Sequence, residues 1–182
     1  MATDSIVNQT DTELPNWSFS GFDDATLRVF GAAREEARRL KHHAIFTEHL
    51  LLAIARTTDL LERHGLDTKK IKSEIETKVP AGHAEVATDK LCFGPRAKYI
   101  LGLALIEARQ LRHPVVAREH VLLALLQDDG GIAGGILQEQ GLKVDDFRSE
   151  VAKLREDLGR IQREVENSLR TQIQQTLPGK QS

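Results

Sequence analysis

The chain has 182 residues, with 25 Lys and Arg against 27 Asp and Glu, a formal charge of −2. So balanced a charge gives no attractive field for a phosphate backbone or an anionic bilayer, which sets aside nucleic acid and membrane as partners. Apolar residues make up 40% but aromatics only 4%, so Leu, Ala, Val and Ile must fill the core, which favours close-packed helices over a strand-rich sandwich.

Residues 1–20 are polar, unpatterned and broken by Pro15, and read as a flexible N-terminal arm. They hold no basic flank followed by an apolar stretch, and nowhere does an apolar run reach the ~18 residues of a membrane span, so a cytoplasmic protein is expected. Cys92 is the only cysteine, which excludes an intrachain disulfide and a multi-thiolate metal site.

From Phe22 the pattern turns helical. Phe30, Ala33, Ala37 and Leu40 recur at steps of three and four, with Arg34, Glu35, Arg38 and Arg39 between them. Shifting the chain by 71 positions aligns Phe22 with Phe93, Glu36-Ala37-Arg38 with Glu107-Ala108-Arg109, His42 with His113, and Glu48-His49 with Glu119-His120. That gives 13 identities over residues 22–53, where chance gives about two, so a supersecondary unit is repeated. Beyond, the offset is 76, pairing Gly65-Leu66 with Gly141-Leu142. The extra residues fall around Asp128-Asp129-Gly130-Gly131, where a turn tolerates them.

Each unit is predicted as four helices: 23–40, 47–56, 58–64 and 68–79 in the first, 95–111, 118–127, 132–140 and 144 onward in the second. Gly65 and Gly141 sit at helix-stopping positions and Pro95 at a first turn. The expected organisation is all-α: a body over 21–156 with repeat one at 22–79, a linker at 80–92 and repeat two at 93–156, then a helical extension over 157–177 and a disordered end at 178–182. In the extension Leu158, Ile161, Val165 and Leu169 form a heptad-like seam, which suits either a helix lying back on the body or a docking or self-association surface, including a homodimer.

The Gly-rich stretch Gly130–Gly135 lacks the Lys-Ser or Lys-Thr of a phosphate loop and reads as a flexible helix connector. His42, His49, His113 and His120, with Glu48 and Glu119, can be assembled on paper into a metal or acid-base site. Yet His49 and His120 lie in Leu-rich helices, where a ring nitrogen more often satisfies a neighbouring backbone group; no catalytic residue, metal or cofactor is expected. His42 and His113 close the first helix of each repeat, where a partly cationic ring suits the dipole. Thr47 reads as a helix N-cap with Glu48 in the first turn, and Arg118-Glu119 is the counterpart. Either carboxylate, near exposed backbone N–H groups, could instead receive a cationic group such as a guanidinium.

The segments Glu36-Ala37-Arg38-Arg39-Leu40-Lys41-His42, Thr47-Glu48-His49-Leu50-Leu51-Leu52, Gly94-Pro95-Arg96-Ala97-Lys98 and Glu119-His120-Val121-Leu122-Leu123 resemble the double Clp N-terminal repeat domain of ClpA- and ClpC-type Hsp100 unfoldases. The resemblance implies two pseudo-twofold-related four-helix repeats that bind adaptors and substrates for an ATPase ring. In ClpC-like members the Thr-Glu pairs receive phosphorylated arginine, which implies ligand-binding roles for Thr47, Glu48, Arg118 and Glu119. The usual glycine before each pair is Phe46 here in one repeat and Ala117 in the other, and Arg118 replaces the second threonine.

No nucleotide-binding module is found up to Ser182. The expectation is therefore a stand-alone, non-enzymatic regulator of a Clp chaperone-protease, whose partners are the Clp ATPase, the protease subunits or their clients. The alternative is a reader of cationic or phosphoarginine peptides independent of Clp.

Overall fold

The computed structural model describes residues 21–84 and 90–176, excluding the side chains of 154–163 and 174–176. The expected arm at 1–20, part of the linker, the end at 178–182 and the side chains of Leu158 and Ile161 lie outside the described residues. Among the described residues eight α-helices follow in order: α1 Asp24–Arg39, α2 Thr47–Thr57, α3 Leu60–Arg63, α4 Thr68–Lys78, α5 Pro95–Gln110, α6 Arg118–Leu126, α7 Ile132–Glu139 and α8 Val144–Thr176. They form two four-helix repeats, as the internal periodicity predicts. Among the described residues no helix is long and apolar enough to cross a membrane.

α2 and α6 are buried nearly all round, from Thr47 to Ile54 and from His120 to Leu126. A helix apolar on every side belongs at the centre, and here α1 packs on α2, α5 on α6, and α2 reaches α5, α6 and α7 across the repeats. α1 starts at an N-cap, Asp23, whose carboxylate accepts from the Thr26 N–H at 2.7 Å. It ends in a Schellman turn: the His42 N–H donates to Ala37 O and the Lys41 N–H to Arg38 O. Lys41 takes φ 54°, and Arg112 does the same after α5 with φ 56°. α3 and α7 close in the same way at Gly65 (φ 74°) and Gly141 (φ 90°), the predicted stops.

The repeats are joined by exchange. Phe22 pairs with Val116 and Phe93 with Ile45, two isolated parallel bridges in which the residue entering the first helix of one repeat meets the residue before the second helix of the other. Phe30 on α1 lies edge-on to both entry rings, 5.1 Å from Phe22 and 5.5 Å from Phe93.

The glycine-rich stretch is not the flexible connector expected from its composition. Gly131 is the N-cap of α7 and Gly134 lies inside it. A Cβ on Gly134 would stand 2.4 Å from Asp128 O and 2.7 Å from Leu125 O, so the glycine lets α7 pack directly on the end of α6. Gly130 and Gly131 border an ion pair in which Arg96 grips Asp128 through Nε at 2.7 Å and Nη2 at 2.5 Å.

Candidate functional site

The start of α2 differs from the sequence expectation. Thr47 is the first helical residue and Phe46 the N-cap, with no side-chain cap bond. The histidine three residues on does the capping: the Phe46 N–H donates to His49 Nδ1 at 2.8 Å. Repeat two copies this, with the Ala117 N–H donating to His120 Nδ1 at 2.9 Å. A nitrogen that accepts carries no proton, so each ring must be protonated on Nε2. His49 Nε2 lies 2.8 Å from His42 Nδ1, and His120 Nε2 lies 2.7 Å from His113 Nδ1. In repeat one the chain of donors continues through His42 Nε2 to Pro80 O at 3.1 Å. Burial, with the neighbouring His42 and then Arg39, lowers the His49 pKa to about 3; burial and then His113 lower that of His120 to about 4. The backbone-satisfying role expected for these two histidines is therefore what they perform, whereas His42 acts as a hydrogen-bond relay more than as a dipole partner.

His42, Glu48 and His49 bring three potential metal ligands within 4.8 Å of one another. His49 has both nitrogens committed, and its Nε2 and the His42 Nδ1 point at each other across one hydrogen bond. An ion between them would have to break both the relay and the cap, so these residues do not fit a metal.

The two Thr-Glu-type positions are in unlike surroundings. In repeat one Thr47 and Glu48 are buried, at 3% and 7% exposure. Burial pushes the Glu48 carboxyl above its ordinary value, against its own backbone N–H, His42 and the Thr47 hydroxyl, which donates to it at 3.5 Å. The Phe46 ring stands at the entrance to α2. It stacks on His49, meets His42 and His43 edge-on, and lies so close to Gly94 that a Cβ there would be 2.8 Å from it. In repeat two Ala117 replaces Phe46, and a cleft of about 430 Å³ opens, lined by Asp23, His113, Val115, Ala117, Arg118 and Glu119 among others. Glu119 does not stand bare, because Arg118 Nε lies 3.3 Å from its Oε1. The structure thus brings Arg118 and Glu119 together at an open cleft and encloses Thr47 and Glu48.

The seam residues Val165 and Leu169 lie far along α8 and are exposed, as is Ile173. Near its start α8 buries Phe147 and Val151 in the body. Sequence reasoning missed three buried carboxylates: Asp128, held by Arg96, and one on the first helix of each repeat. Glu36 is held by Arg39 at 2.8 Å and Arg56 at 3.5 Å. Its counterpart Glu107 is held by Arg148 at 2.6 Å and by the Gln127 amide at 3.1 Å. The repeat alignment marked both glutamates as recurrent, and that recurrence on an apolar face was the available signal.

The model of the Clp repeat (R) N-terminal domain matches residues 21–112 and 92–181. The chain is 34% identical over 141 residues to the negative regulator of genetic competence ClpC/MecB of Bacillus subtilis, covering 75% of this chain and 17% of that protein. It is 35% identical over 141 residues to the chloroplastic chaperone protein ClpC1 of Arabidopsis thaliana, with 75% and 15% covered. It thus spans about a sixth of the length of these curated relatives. Among solved structures, the N-terminal domain of the caseinolytic protease associated chaperone ClpD from Arabidopsis thaliana superposes with a TM-score of 0.62 at 20% identity, over 79% of this chain and 99% of that one. A complex of the ClpV N-domain with VipB peptide gives 0.60 at 16%, over 84% and 94%.

Proposed function

Because the chain belongs to the Clp repeat (R) N-terminal domain family, we propose that it is a non-enzymatic protein-binding module regulating a Clp chaperone-protease by engaging the unfoldase, the protease core or their client proteins. The observation that carries this is the cleft of about 430 Å³ at the start of α6. Its walls combine apolar surface with one ion pair, Arg118 and Glu119, the usual make-up of a site that holds a segment of another protein. The ClpV N-domain, of the same fold, was solved with a peptide, which supports a peptide segment as the ligand. α8 offers a second docking face, since Val165, Leu169 and Ile173 recur at four-residue steps and are each more than half exposed. A homodimer through this face would lose half its mass when the chain is truncated after Leu158, as read by light scattering; an unchanged mass removes the dimer.

Pull-down and degradation assays with the matching Clp ATPase test the main reading. Association that weakens at least tenfold in Arg118→Ala and Glu119→Ala supports the cleft, and no association with any Clp subunit or client rules the regulator out.

A further inference from the structure

The ligand of this cleft can be read from the other repeat. In repeat one the Phe46 ring lies against His42, His43, His49 and Gly94. The 71-residue offset carries these to His113, Pro114, His120 and Asp23, and all four line the open cleft of repeat two. The cleft is thus the place where repeat one keeps an aromatic side chain and repeat two, with Ala117, keeps a methyl group. The backbone around it is set by the same hydrogen bonds in both copies, with the N-cap N–H on the Nδ1 of the histidine three residues on. We propose that the cleft of repeat two takes an aromatic side chain, Phe, Tyr or Trp, from a peptide segment of the partner, seated against His113, Pro114 and His120 as Phe46 is seated against its own neighbours. This rests on reading the cleft as the protein-binding site.

One difference shapes the fit. Asp23 carries a side chain where Gly94 has none, and a Cβ at Gly94 would be 2.8 Å from the Phe46 ring. A bound ring therefore sits farther from the backbone than Phe46 does, beside the Asp23 carboxylate, one oxygen of which is committed to the Thr26 N–H. The exchange of residues between repeats is itself paired, Phe with Gly in one and Ala with Asp in the other.

That pairing supplies the test. The full chain is titrated with acetyl-Ala-Phe-Ala-Ala-amide and with the all-alanine peptide, followed by amide chemical shifts. The Phe peptide should saturate, shift Val115, Ala117 and His120, and bind at least tenfold tighter than the alanine peptide. The double variant Asp23→Gly with Ala117→Phe gives repeat two the residues of repeat one and should abolish the binding. Phe46→Ala with Gly94→Asp should open the first cleft and raise the stoichiometry from one to two. A Phe peptide no tighter than the alanine peptide, or undiminished by the plugging variant, overturns the inference. Clp association measured on the plugged chain separates the two readings. Loss of association without any preference for Phe would leave the docking cleft standing and the aromatic specificity refuted; retained association with lost peptide binding would do the opposite.

Discussion

His49 Nε2 donates to His42 Nδ1 across 2.8 Å, and His120 and His113 repeat the contact at 2.7 Å. The arrangement requires His49 and His120 to be neutral, and their pKa values of about 3 and about 4 lie below the ordinary 6.5. As pH falls through about 6.5 the unfolded imidazoles take up protons that the native rings refuse. The unfolded state then binds more protons, so stability is full above about 6.5 and is lost on acidification towards pH 4 and 3. Urea unfolding should show a loss of about 1 kcal/mol per pH unit for each histidine between pH 6 and 5. His49→Gln should roughly halve that slope. Glu48, with its raised pKa, works in the opposite sense at the acid end, because its native carboxyl takes a proton before the unfolded one.

Lys41 and Arg112 hold left-handed backbone at φ 54° and 56° without being glycine. Lys41→Gly and Arg112→Gly should each stabilise by about 0.5–1 kcal/mol, relief of the Cβ strain outweighing the added freedom of the unfolded chain. Gly65→Ala and Gly141→Ala, at φ 74° and 90°, should cost about 1 kcal/mol each. Thermal midpoints measure all four.

Within the glycine run, neighbours should part company. Gly134→Ala forces a Cβ to within 2.4 Å of Asp128 O and 2.7 Å of Leu125 O, both backbone atoms that cannot swing aside. A loss of 2 kcal/mol or more is expected, about the scale of overpacking. Gly135→Ala meets nothing within 4 Å and lies in a helix, so it should stabilise by about 0.5–1 kcal/mol. Equal effects at both positions would refute the packing role of Gly134.

Arg148→Met strands the Glu107 carboxylate, only 3% of whose side chain is exposed. A loss of about 2–3 kcal/mol is expected in denaturant unfolding, near the low end for a broken buried pair because Arg148 is partly exposed. Arg56→Met should cost less, about 1 kcal/mol, since Arg39 still reaches Glu36 at 2.8 Å.

Local rules carried most of the fold. Helix ends were legible wherever one residue decides the geometry, as at Gly65, Gly141 and Pro95, and the duplication was legible because both copies keep residues such as Glu36 and Glu107 on apolar faces. The start of α2 misled because Thr47 is a good N-cap by type, while the cap is supplied from within the helix by His49 and leaves Thr47 one position further on. The glycine run misled because composition does not distinguish flexibility from close approach, and only the carbonyls of Leu125 and Asp128 tell them apart. For the candidate site, the sequence marked Glu48 and Glu119 as equivalents. The two sites differ at the preceding residue, Phe46 against Ala117, and the Phe46 ring lies against Gly94, 48 positions away, a contact that no local pattern encodes.

The crossed bridges, Phe22 with Val116 and Phe93 with Ile45, mean that neither copy closes its own doorway; each is latched by its twin. A gene fragment encoding one copy should yield a chain with a frayed threshold and a sticky flank. Two such fragments mixed together should find each other and knit, so the duplication behaves as a single folding partnership.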